Sequence, residues 1–425
     1  MQSKDFYISR IIDLKIQQYL KCFGTISIQG PLGCGKKTTA KKYCQSEFNL
    51  LDSTRNYNNK NLALMDPSIV LKGENPRLID EWQEVPSLWD AVRHEVDFNN
   101  GKGLFILTGS ATPKRDHIIH SGAGRIASLK MRTMSLYESK DSSGLVSLKD
   151  VVEGKDITCN TGEVSLEDLA SFIIRGGWPA NLNVDKELQY LLPSEYIKTI
   201  IENEIFVLNN SRYNAHKLGL LLKSLARNES TTPSINKLVD DIKVFDDDII
   251  DSDTVRKYLT VFESMYLIEN QLPFATNNRS SIRVKQKEKL HFCDPSLAAA
   301  ILNLNQDKLI NDLETFGSLF EALVEHDLRI YCESFNASLY HYQDYKNNEF
   351  DAVIELEDGD YVAVEIKLGA NKIEDAAKNL IKIKNQIINS GGKGPKELIV
   401  VCGLTNAAYK RSDGVYVLPL TALKN

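Results

Sequence analysis

Short apolar runs alternate with helical patterns in the N-terminal part of the chain, between residues 22 and 135. Apolar runs that fit strands lie at 25–29, 77–79 and 104–108, and helical spacing separates them. This order is typical of a parallel sheet flanked by helices. It predicts an α/β domain over residues 1–165, in which the Ser-, Asp- and Gly-rich stretch 138–163 forms a surface excursion.

Apolar positions three and four residues apart dominate the middle of the chain, residues 165–275, and predict helices. After His216 the pattern predicts helices at 217–227, 234–242 and 253–268, the last with Ser252 or Asp253 as its N-cap. A polar segment then carries the basic residues Arg279, Arg283, Lys285, Lys287 and Lys289. Three helices followed by a basic extended arm predict a winged-helix module over residues 166–292, with nucleic acid as a candidate partner. The alternative is a solvated strand.

The pattern changes again in the C-terminal part. It predicts a helix at 313–329, a strand pair at 350–368, a helix at 374–388 and a final strand at 398–402. These elements predict a small α/β domain over residues 293–425. The expected fold class is therefore α/β, with a parallel-sheet domain, a helical middle region and a second, smaller α/β domain.

Length and composition fit this division. The chain has 425 residues, and single hydrophobic cores stop growing near roughly 250 to 300 residues. With 42% apolar and 25% charged residues the composition is that of a folded protein. No apolar run reaches the roughly 18 residues of a membrane span, and the N-terminus has no secretory h-region, so we expect a cytoplasmic protein without membrane contact. The formal net charge of −6 gives no global attraction to nucleic acid.

A glycine-rich segment follows the first strand and precedes a helix. Gly30 and Gly35 match the G-x-x-x-x-G-K pattern, in which backbone amides wrap phosphates and Lys36 reaches the outer ones. The candidate nucleotide-binding residues are Gly30, Pro31, Gly33, Cys34, Gly35, Lys36, Lys37 and Thr38. The expected ligand is ATP with Mg²⁺.

Acidic and hydroxyl residues end the next two strands. Asp80 is suited to hold Mg²⁺ through water, and Glu81 to polarise an attacking water. Ser110 is a candidate for orienting that water or the terminal phosphate. The alternative is a structural acidic pair beside an ordinary turn.

One residue departs from the phosphate-loop pattern. The position after Lys36 should be Ser or Thr, whose hydroxyl coordinates magnesium, but it is Lys37, which has only donors. Two consequences compete: Lys37 disables tight magnesium binding and slows hydrolysis, or its ammonium partly replaces the charge of the ion. We expect nucleotide binding with weakened turnover.

Asp351, Glu365 and Lys367 have the D-x13-E-x-K spacing of metal-dependent nucleases, in which two carboxylates hold magnesium and the lysine positions water. Strand phase predicts that Ala352 pairs with Val364 if the turn is odd, with Gly359 at positive φ. That register places Asp351 opposite Glu365 on a polar face, and Glu321 or Glu325 could add a ligand. A solvated hairpin face is the alternative.

Six ordered motifs resemble the prokaryotic AAA-type ATP-binding proteins that carry a C-terminal domain of unknown function. The motifs are GPLGCGKKTTA, RLIDEWQEVPSLWDAVR, LFILTGSATP, HSGAGRI, RGGWPA and NEFDAVIELEDGDYVAVEIK. The resemblance implies an AAA-like ATPase domain, a helical or winged-helix middle and a C-terminal domain with the restriction-endonuclease fold. It also implies that Arg125 touches the terminal phosphate, from its own chain or from a neighbouring copy in a homo-oligomer. A surface arginine paired with an acid is the alternative.

Two functions follow from these expectations. The first is an ATP-driven enzyme acting on nucleic acid through the nuclease-like domain. The second is a nucleotide-dependent switch or protein-binding adaptor in which that domain is a silent scaffold.

Overall fold

The computed structural model describes residues 7–52, 58–110, 121–204, 214–243, 250–275 and 287–425. The chain divides into two compact units. The first unit contains Met1–Thr133 and Val261–Leu267, and the second contains Met134–Thr260 and Ile268–Asn425. Each unit has its own hydrophobic core.

The first unit contains a five-stranded parallel sheet. Its strands are β1 (Thr25–Gln29), β2 (Ser46–Asn49), β3 (Arg77–Asp80), β4 (Phe105–Gly109) and β5 (Ile126–Lys130), in the order β2-β3-β4-β1-β5. Its helices are α1 (Ile12–Cys22), α2 (Lys36–Lys41), α3 (Asn58–Met65), α4 (Pro67–Leu71) and α5 (Ser87–Asn99). The three predicted strands correspond to β1, β3 and β4, with shifts of at most one residue at an end.

Both faces of the sheet are buried at β1, β3 and β4, even though the strand sequence TISIQ of β1 alternates polar and apolar side chains. On one face Ile26, Ile28 and Leu78 pack with Ile16 of α1. On the other face Ile79 packs with residues of the α5 region. Because the strands are parallel, the carboxyl ends of β1, β3 and β4 lie at one edge of the sheet. The sequence that follows each of these strands therefore meets its neighbours at that edge.

Six helices belong wholly or mainly to the second unit before its C-terminal part. They are α6 (Leu148–Val152), α7 (Leu166–Arg175), α8 (Leu191–Thr199), α9 (Ala215–Arg227), α10 (Ile235–Lys243) and α11 (Ser252–Ser264), of which the last four residues group with the first unit. The three helices predicted after His216 are confirmed as α9, α10 and α11, although α11 ends four residues earlier than expected. The prediction of its cap was wrong by one residue, since the carboxylate of Asp251 accepts the backbone N–H of Thr254 at 2.6 Å. Within the described residues, no helix combines the length and apolar character that a membrane crossing requires.

The second unit also contains a mixed sheet, against which helices of its C-terminal part pack. The helices are α12 (Pro295–Ile301), α13 (Gln306–Asn311), α14 (Leu313–Ser334) and α15 (Ile373–Asn389). The strands are β6 (Val146–Ser147), β7 (Thr158–Asn160), β8 (Ser338–Gln343), β9 (Glu349–Glu355), β10 (Tyr361–Gly369), β11 (Leu398–Leu404), β12 (Ala407–Lys410), β13 (Val415–Pro419) and β14 (Leu423–Lys424). Seven strands form one sheet in the order β7-β12-β13-β11-β10-β9-β8, and β14 pairs with β6. The strand predicted as the last, β11, is therefore central, and three strands follow it.

The hairpin of β9 and β10 has the predicted register. Val364 pairs with Ala352, and Gly359 in the connecting loop has a φ of 79°. The prediction of a polar face was wrong, because Val353 and Ala363 are buried against α15 and the opposite side chains are buried as well. A register irregularity between β8 and β9 lies beside Asp351. The acidic residues therefore lie inside the protein and not on a solvated face.

The domain limits at 165/166 and 292/293 stay a prediction. Residues 134–165 group with the second unit, and β7 pairs with β12 in its sheet. All seven cysteines are free thiols.

Candidate functional site

The glycine-rich loop connects β1 to α2 and turns sharply at its glycines. A Cβ at Gly30 would lie 2.0 Å from the carbonyl oxygen of Met131, so no other residue fits there without movement. Gly33 and Gly35 have φ values of 80° and 102°, which glycine adopts without steric cost. Successive amides in such turns form concave anion-binding sites. The loop geometry is therefore that of a phosphate-binding loop.

Lys36 begins α2 and lies against this loop. Its ammonium donates to the carbonyl oxygens of Gly30 at 2.9 Å and Pro31 at 2.8 Å. The side chain is buried, since Lys36 is only 7% exposed. The cation expected to reach the phosphates is thus directed at the loop that would hold them.

Lys37 contacts the acid that the sequence assigns to magnesium. Its ammonium lies 2.8 Å from Oδ2 of Asp80, while the hydroxyl of Thr108 donates to Oδ1 at 2.6 Å. Both oxygens of this buried carboxylate are therefore in use. Of the next two hydroxyls, Thr38 is exposed and Thr39 is buried, with its Oγ1 3.4 Å from the Tyr7 hydroxyl. These residues do not fit the magnesium site of a phosphate-binding loop.

Glu81 and Ser110 lie together, and Gln83 joins them. The Glu81 carboxylate accepts from Nε2 of Gln83 at 2.6 Å and from the Ser110 hydroxyl at 3.4 Å. The sequence did not single out Gln83, whose only signal is its place two residues after Glu81. Glu81 has φ 59° and ψ 41°, a left-handed conformation that is rare for a residue with a side chain. Such outliers concentrate at functional sites.

Arg125 lies away from the loop in its own chain. It immediately precedes β5, whose Ile126 pairs with Thr25 at the start of β1, whereas the loop follows the end of β1. The five residues of β1 separate the two ends by about 16 Å. Arg125 is half exposed and pairs with Asp97, Nε to Oδ1, at 2.7 Å. This placement opposes a phosphate contact within one chain, and a contact supplied by a neighbouring copy stays a prediction.

Arg10 supports the loop from behind and was missed in the sequence. Its guanidinium donates to the carbonyl oxygens of Cys34 at 2.9 Å, Arg132 at 2.8 Å and Thr133 at 3.1 Å. These partners are distant in the chain, so no local pattern reveals the contact. Cys34 itself is buried, with its Sγ 3.6 Å from the Met131 carbonyl oxygen.

The second unit brings the three residues of the nuclease-like spacing together. The ammonium of Lys367 lies 2.9 Å from Glu365 Oε1 and 3.4 Å from Asp351 Oδ2. Asp351 Oδ2 also accepts the backbone N–H of Ile366 at 2.7 Å. The predicted convergence is therefore present in the structure, in a buried setting, since Asp351 and Glu365 are 7% and 6% exposed.

Lys289 extends this cluster and departs from its predicted place. It was assigned to a basic arm open to nucleic acid, but it is buried and contacts Glu321 and Glu325 of α14. Of the other arm residues, Lys287 is exposed, and Arg279, Arg283 and Lys285 lie outside the described residues. The winged helix therefore rests on α9, α10 and α11, and stays a prediction.

Burial and neighbouring charges shift several pKa values in this cluster. Burial raises the pKa of Glu365 to about 7, and the charge of Asp351 adds to the shift. Burial also raises the pKa of Glu321 to about 8. Burial opposes ionisation of Glu325 too, but His291 and Lys289 outweigh it and lower its pKa to about 2. Burial lowers the pKa of Lys289, but the charges of Glu325, Glu321 and Asp351 outweigh the burial and raise this pKa above its usual value.

Family comparisons divide the chain into three parts. Residues 23–140 match the family model "AAA domain", residues 166–308 match "Domain of unknown function (DUF8612)" and residues 316–423 match "Domain of unknown function (DUF4143)". No match was found among curated proteins. The first match and the loop geometry support an ATP-binding, ATPase-like function of the part of the chain that residues 23–140 form. The fold class predicted from the sequence is confirmed.

Similar solved structures are distant. The Walker-type ATPase paby2304 of Pyrococcus abyssi is 13% identical, with 70% of this chain and 97% of that chain covered and a TM-score of 0.45. The Drosophila ORC structure bound to DNA is 10% identical, with 69% of this chain and 85% of that chain covered and a TM-score of 0.18. The Pyrococcus furiosus Hef helicase domain is 12% identical, with 94% of this chain and 90% of that chain covered and a TM-score of 0.22. At these TM-scores the three structures carry no argument about the fold or the function of this chain.

Proposed function

We propose that this protein binds ATP at the loop Gly30–Gly35, hydrolyses it slowly and acts as a nucleotide-dependent switch. The loop amides and the Lys36 ammonium would hold the phosphates, since both are cationic or donor groups directed at one concave site. ATP supplies the reactive phosphoryl group when bound. The Glu81 carboxylate would take the proton of an attacking water, and Gln83 and Ser110 hold that carboxylate in place.

The ion pair between Lys37 and Asp80 carries the proposal of slow turnover. An ammonium at 2.8 Å supplies one positive charge to the carboxylate, whereas a magnesium ion would supply two. A lysine cannot coordinate a metal while it is protonated. Binding of the triphosphate would therefore depend less on Mg²⁺ than in proteins with Ser or Thr at this position, and charge stabilisation during transfer would be weaker.

A Lys37→Thr variant tests this proposal. We expect the variant to hydrolyse ATP at least about tenfold faster than the natural chain in Mg²⁺, because the hydroxyl restores a metal ligand and frees Asp80. Its affinity for ATP should fall in EDTA, whereas the natural chain should bind ATP about equally with and without Mg²⁺. Nucleotide binding can be measured by calorimetry, and hydrolysis by phosphate release.

Two further variants control the measurement. Lys41→Thr removes a lysine of the same helix that pairs with Glu47 and not with Asp80, so its turnover should stay at the natural level. Lys36→Ala should lose ATP binding. An unchanged hydrolysis rate in the Lys37→Thr variant, at normal ATP affinity, would show that the proposal is wrong.

Cleavage of nucleic acid at Asp351, Glu365 and Lys367 is the second candidate. The convergence of these three side chains supports it. The buried position of Lys289 opposes it, both because a cation stands among the acids and because the basic arm has one residue fewer to offer to phosphates. We therefore favour the switch, with the C-terminal domain as its silent scaffold.

A further inference from the structure

We propose that the buried acidic cluster of the second unit is a cation site that the ammonium of Lys289 occupies, and that this lysine excludes a divalent metal. The acids of the cluster are Glu321, Glu325, Asp351 and Glu365. The resemblance to the restriction-endonuclease fold implies a metal held by Asp351 and Glu365. The contacts of the cluster disagree with that expectation.

The three donors of the Lys289 ammonium are all used within the cluster. The ammonium contacts Oε1 of Glu321 at 2.5 Å, Oε1 of Glu325 at 2.9 Å and the backbone carbonyl oxygen of Asp351 at 2.9 Å. An ammonium group has three N–H donors, so no donor remains for an external ligand. The side chain is 9% exposed, and the ion pairs are shielded from solvent.

The backbone fixes this position. Lys289 and Gln271 exchange both backbone hydrogen bonds, at 2.8 and 2.9 Å, and Nε2 of Gln271 donates to the carbonyl oxygen of Tyr340 at 2.7 Å. Through Gln271, these hydrogen bonds therefore connect the segment that carries Lys289 to β8. The lysine enters the cluster because of main-chain pairing and not only because of the attraction between charges.

The oxygen atoms that a metal needs are mostly engaged. Oxygens of Glu321 and Glu325 accept from Lys289, Glu365 Oε1 faces Lys367, and Asp351 Oδ2 accepts from Ile366. Among the described residues, Oε2 of Glu365 is a buried oxygen without a hydrogen-bond partner, and Oε2 of Glu325 lies 2.5 Å from Nε2 of His291. Because Mg²⁺ usually keeps several waters and takes only one or two carboxylates, the positive charge of Lys289 among these acids excludes the metal, and not the number of free oxygens. The described part of the chain contains no group of three His, Cys, Asp or Glu side chains arranged to hold a metal.

The test compares Mn²⁺ binding by the full-length chain, by Lys289→Met and by the matched control Lys287→Met, whose lysine is exposed and two residues away. Calorimetry without nucleotide and thermal unfolding with Mn²⁺ or EDTA are the two measurements. We expect the natural chain and the control to show no binding at the cluster and no shift of melting temperature. The Lys289→Met variant should gain Mn²⁺ binding, and adding Asp351→Asn should abolish the gain.

The single variant could fail to fold, because it leaves buried carboxylates without a partner. The double variant Lys289→Met with Glu321→Gln removes the ammonium together with one of the carboxyl groups that contact it, so fewer acids are left without a partner. It should fold and still gain Mn²⁺ binding. The proposal is overturned if the natural chain binds Mn²⁺ and loses that binding on Glu365→Gln, or if it cleaves DNA in Mn²⁺ and loses cleavage on Asp351→Asn. It is also overturned if the folded double variant binds no Mn²⁺.

Discussion

Glu81 has a strained backbone at the point where β3 ends. For a residue with a Cβ the left-handed conformation costs about 1 kcal/mol or more relative to glycine. The strain is maintained by its surroundings, because Trp82 packs in the core directly after it and Gln83 holds its carboxylate. The conformation turns this carboxylate towards Ser110, so strain and the predicted role belong to the same residue.

Substitution of Glu81 separates these two contributions. Glu81→Gly should be more stable than Glu81→Ala by about 1 kcal/mol, the reverse of their order in a helix, because only glycine relieves the left-handed strain. Both variants should lose ATP hydrolysis and keep ATP binding. Urea unfolding of the first unit and phosphate release are the measurements. Equal stabilities of the two variants would contradict the strain, and undiminished hydrolysis would contradict the role of the carboxylate.

Two lysines stand where metal ions were expected, and the sequence reveals only one of them. Lys37 departs from a local motif, so the neighbouring residues in the sequence already indicate that a lysine replaces the expected metal ligand near Asp80. Lys289 lies 32 and 36 positions from its partners Glu321 and Glu325, and within a basic run its sequence suggests an exposed arm. The backbone hydrogen bonds between Lys289 and Gln271, which hold the lysine in its buried position, cannot be predicted from composition or residue spacing.

At the scale of elements, the RGGWPA motif forms a junction between α7 and α12. A Cβ at Gly176 would lie 2.5 Å from Asp294 Oδ1, and a Cβ at Gly177 would lie 2.1 Å from the Met134 carbonyl oxygen. Asp294 caps α12 through the backbone N–H of Ser296 and also accepts the N–H of Gly177 at 2.9 Å. Gly176 is therefore needed because the chain approaches the capped helix end closely, and Gly177 is needed because it lies against the backbone of Met134.

Asp294→Ala should destabilise the second unit by about 2 to 3 kcal/mol, since it removes a cap and leaves buried donors without an acceptor. Asn305→Ala is a matched control, because Asn305 caps α13 by one exposed hydrogen bond to Lys308 and should cost about 1 kcal/mol. Urea midpoints of the two variants measure the difference. Similar losses in both variants would show that the junction adds nothing to an ordinary cap.

Elements with a local signal were predictable, and long-range pairings were not. The apolar run Thr25–Gln29 predicted β1 with its true limits, and strand phase predicted the register of Ala352 with Val364. The same phase suggested a polar face, because alternation cannot show that α15 covers the side opposite to α14. The strands β12 to β14 were missed, since strands of two to five residues carry little periodicity, even where they are buried beside a central strand as β13 is.

At the scale of the whole molecule, buried ionisable groups of the second unit link stability to pH. His291 lies between two buried acids, with Nδ1 3.0 Å from Glu229 Oε1 and Nε2 2.5 Å from Glu325 Oε2. Burial lowers the pKa of His291, but the two carboxylates outweigh it and raise the pKa from 6.5 to about 9. A raised pKa means that the folded state holds a proton that the unfolded state has released.

Stability of the second unit should therefore decrease between about pH 6.5 and pH 9. The contribution of His291 is fully present below its unfolded pKa of 6.5 and is lost as the pH rises through about 9. Over this window the unfolding free energy should fall by up to about 1.4 kcal/mol per pH unit for one proton. Glu365 acts in the same direction below pH 7, because its pKa is raised from 4.5 to about 7.

Hydrogen exchange in β9 and β10 at several pH values, corrected for the intrinsic exchange rate, measures the stability of the second unit alone. A measurement on one unit is needed because a chain with two compact units has no single unfolding free energy. His291→Gln should make the pH dependence shallower above pH 6.5. His94→Gln, which changes an exposed histidine of the first unit, should leave it as it is. If the natural chain has the same exchange-derived stability at pH 6.5 and pH 9, then His291 is not held charged by its two carboxylates, and the network must be stabilised by a neutral imidazole instead.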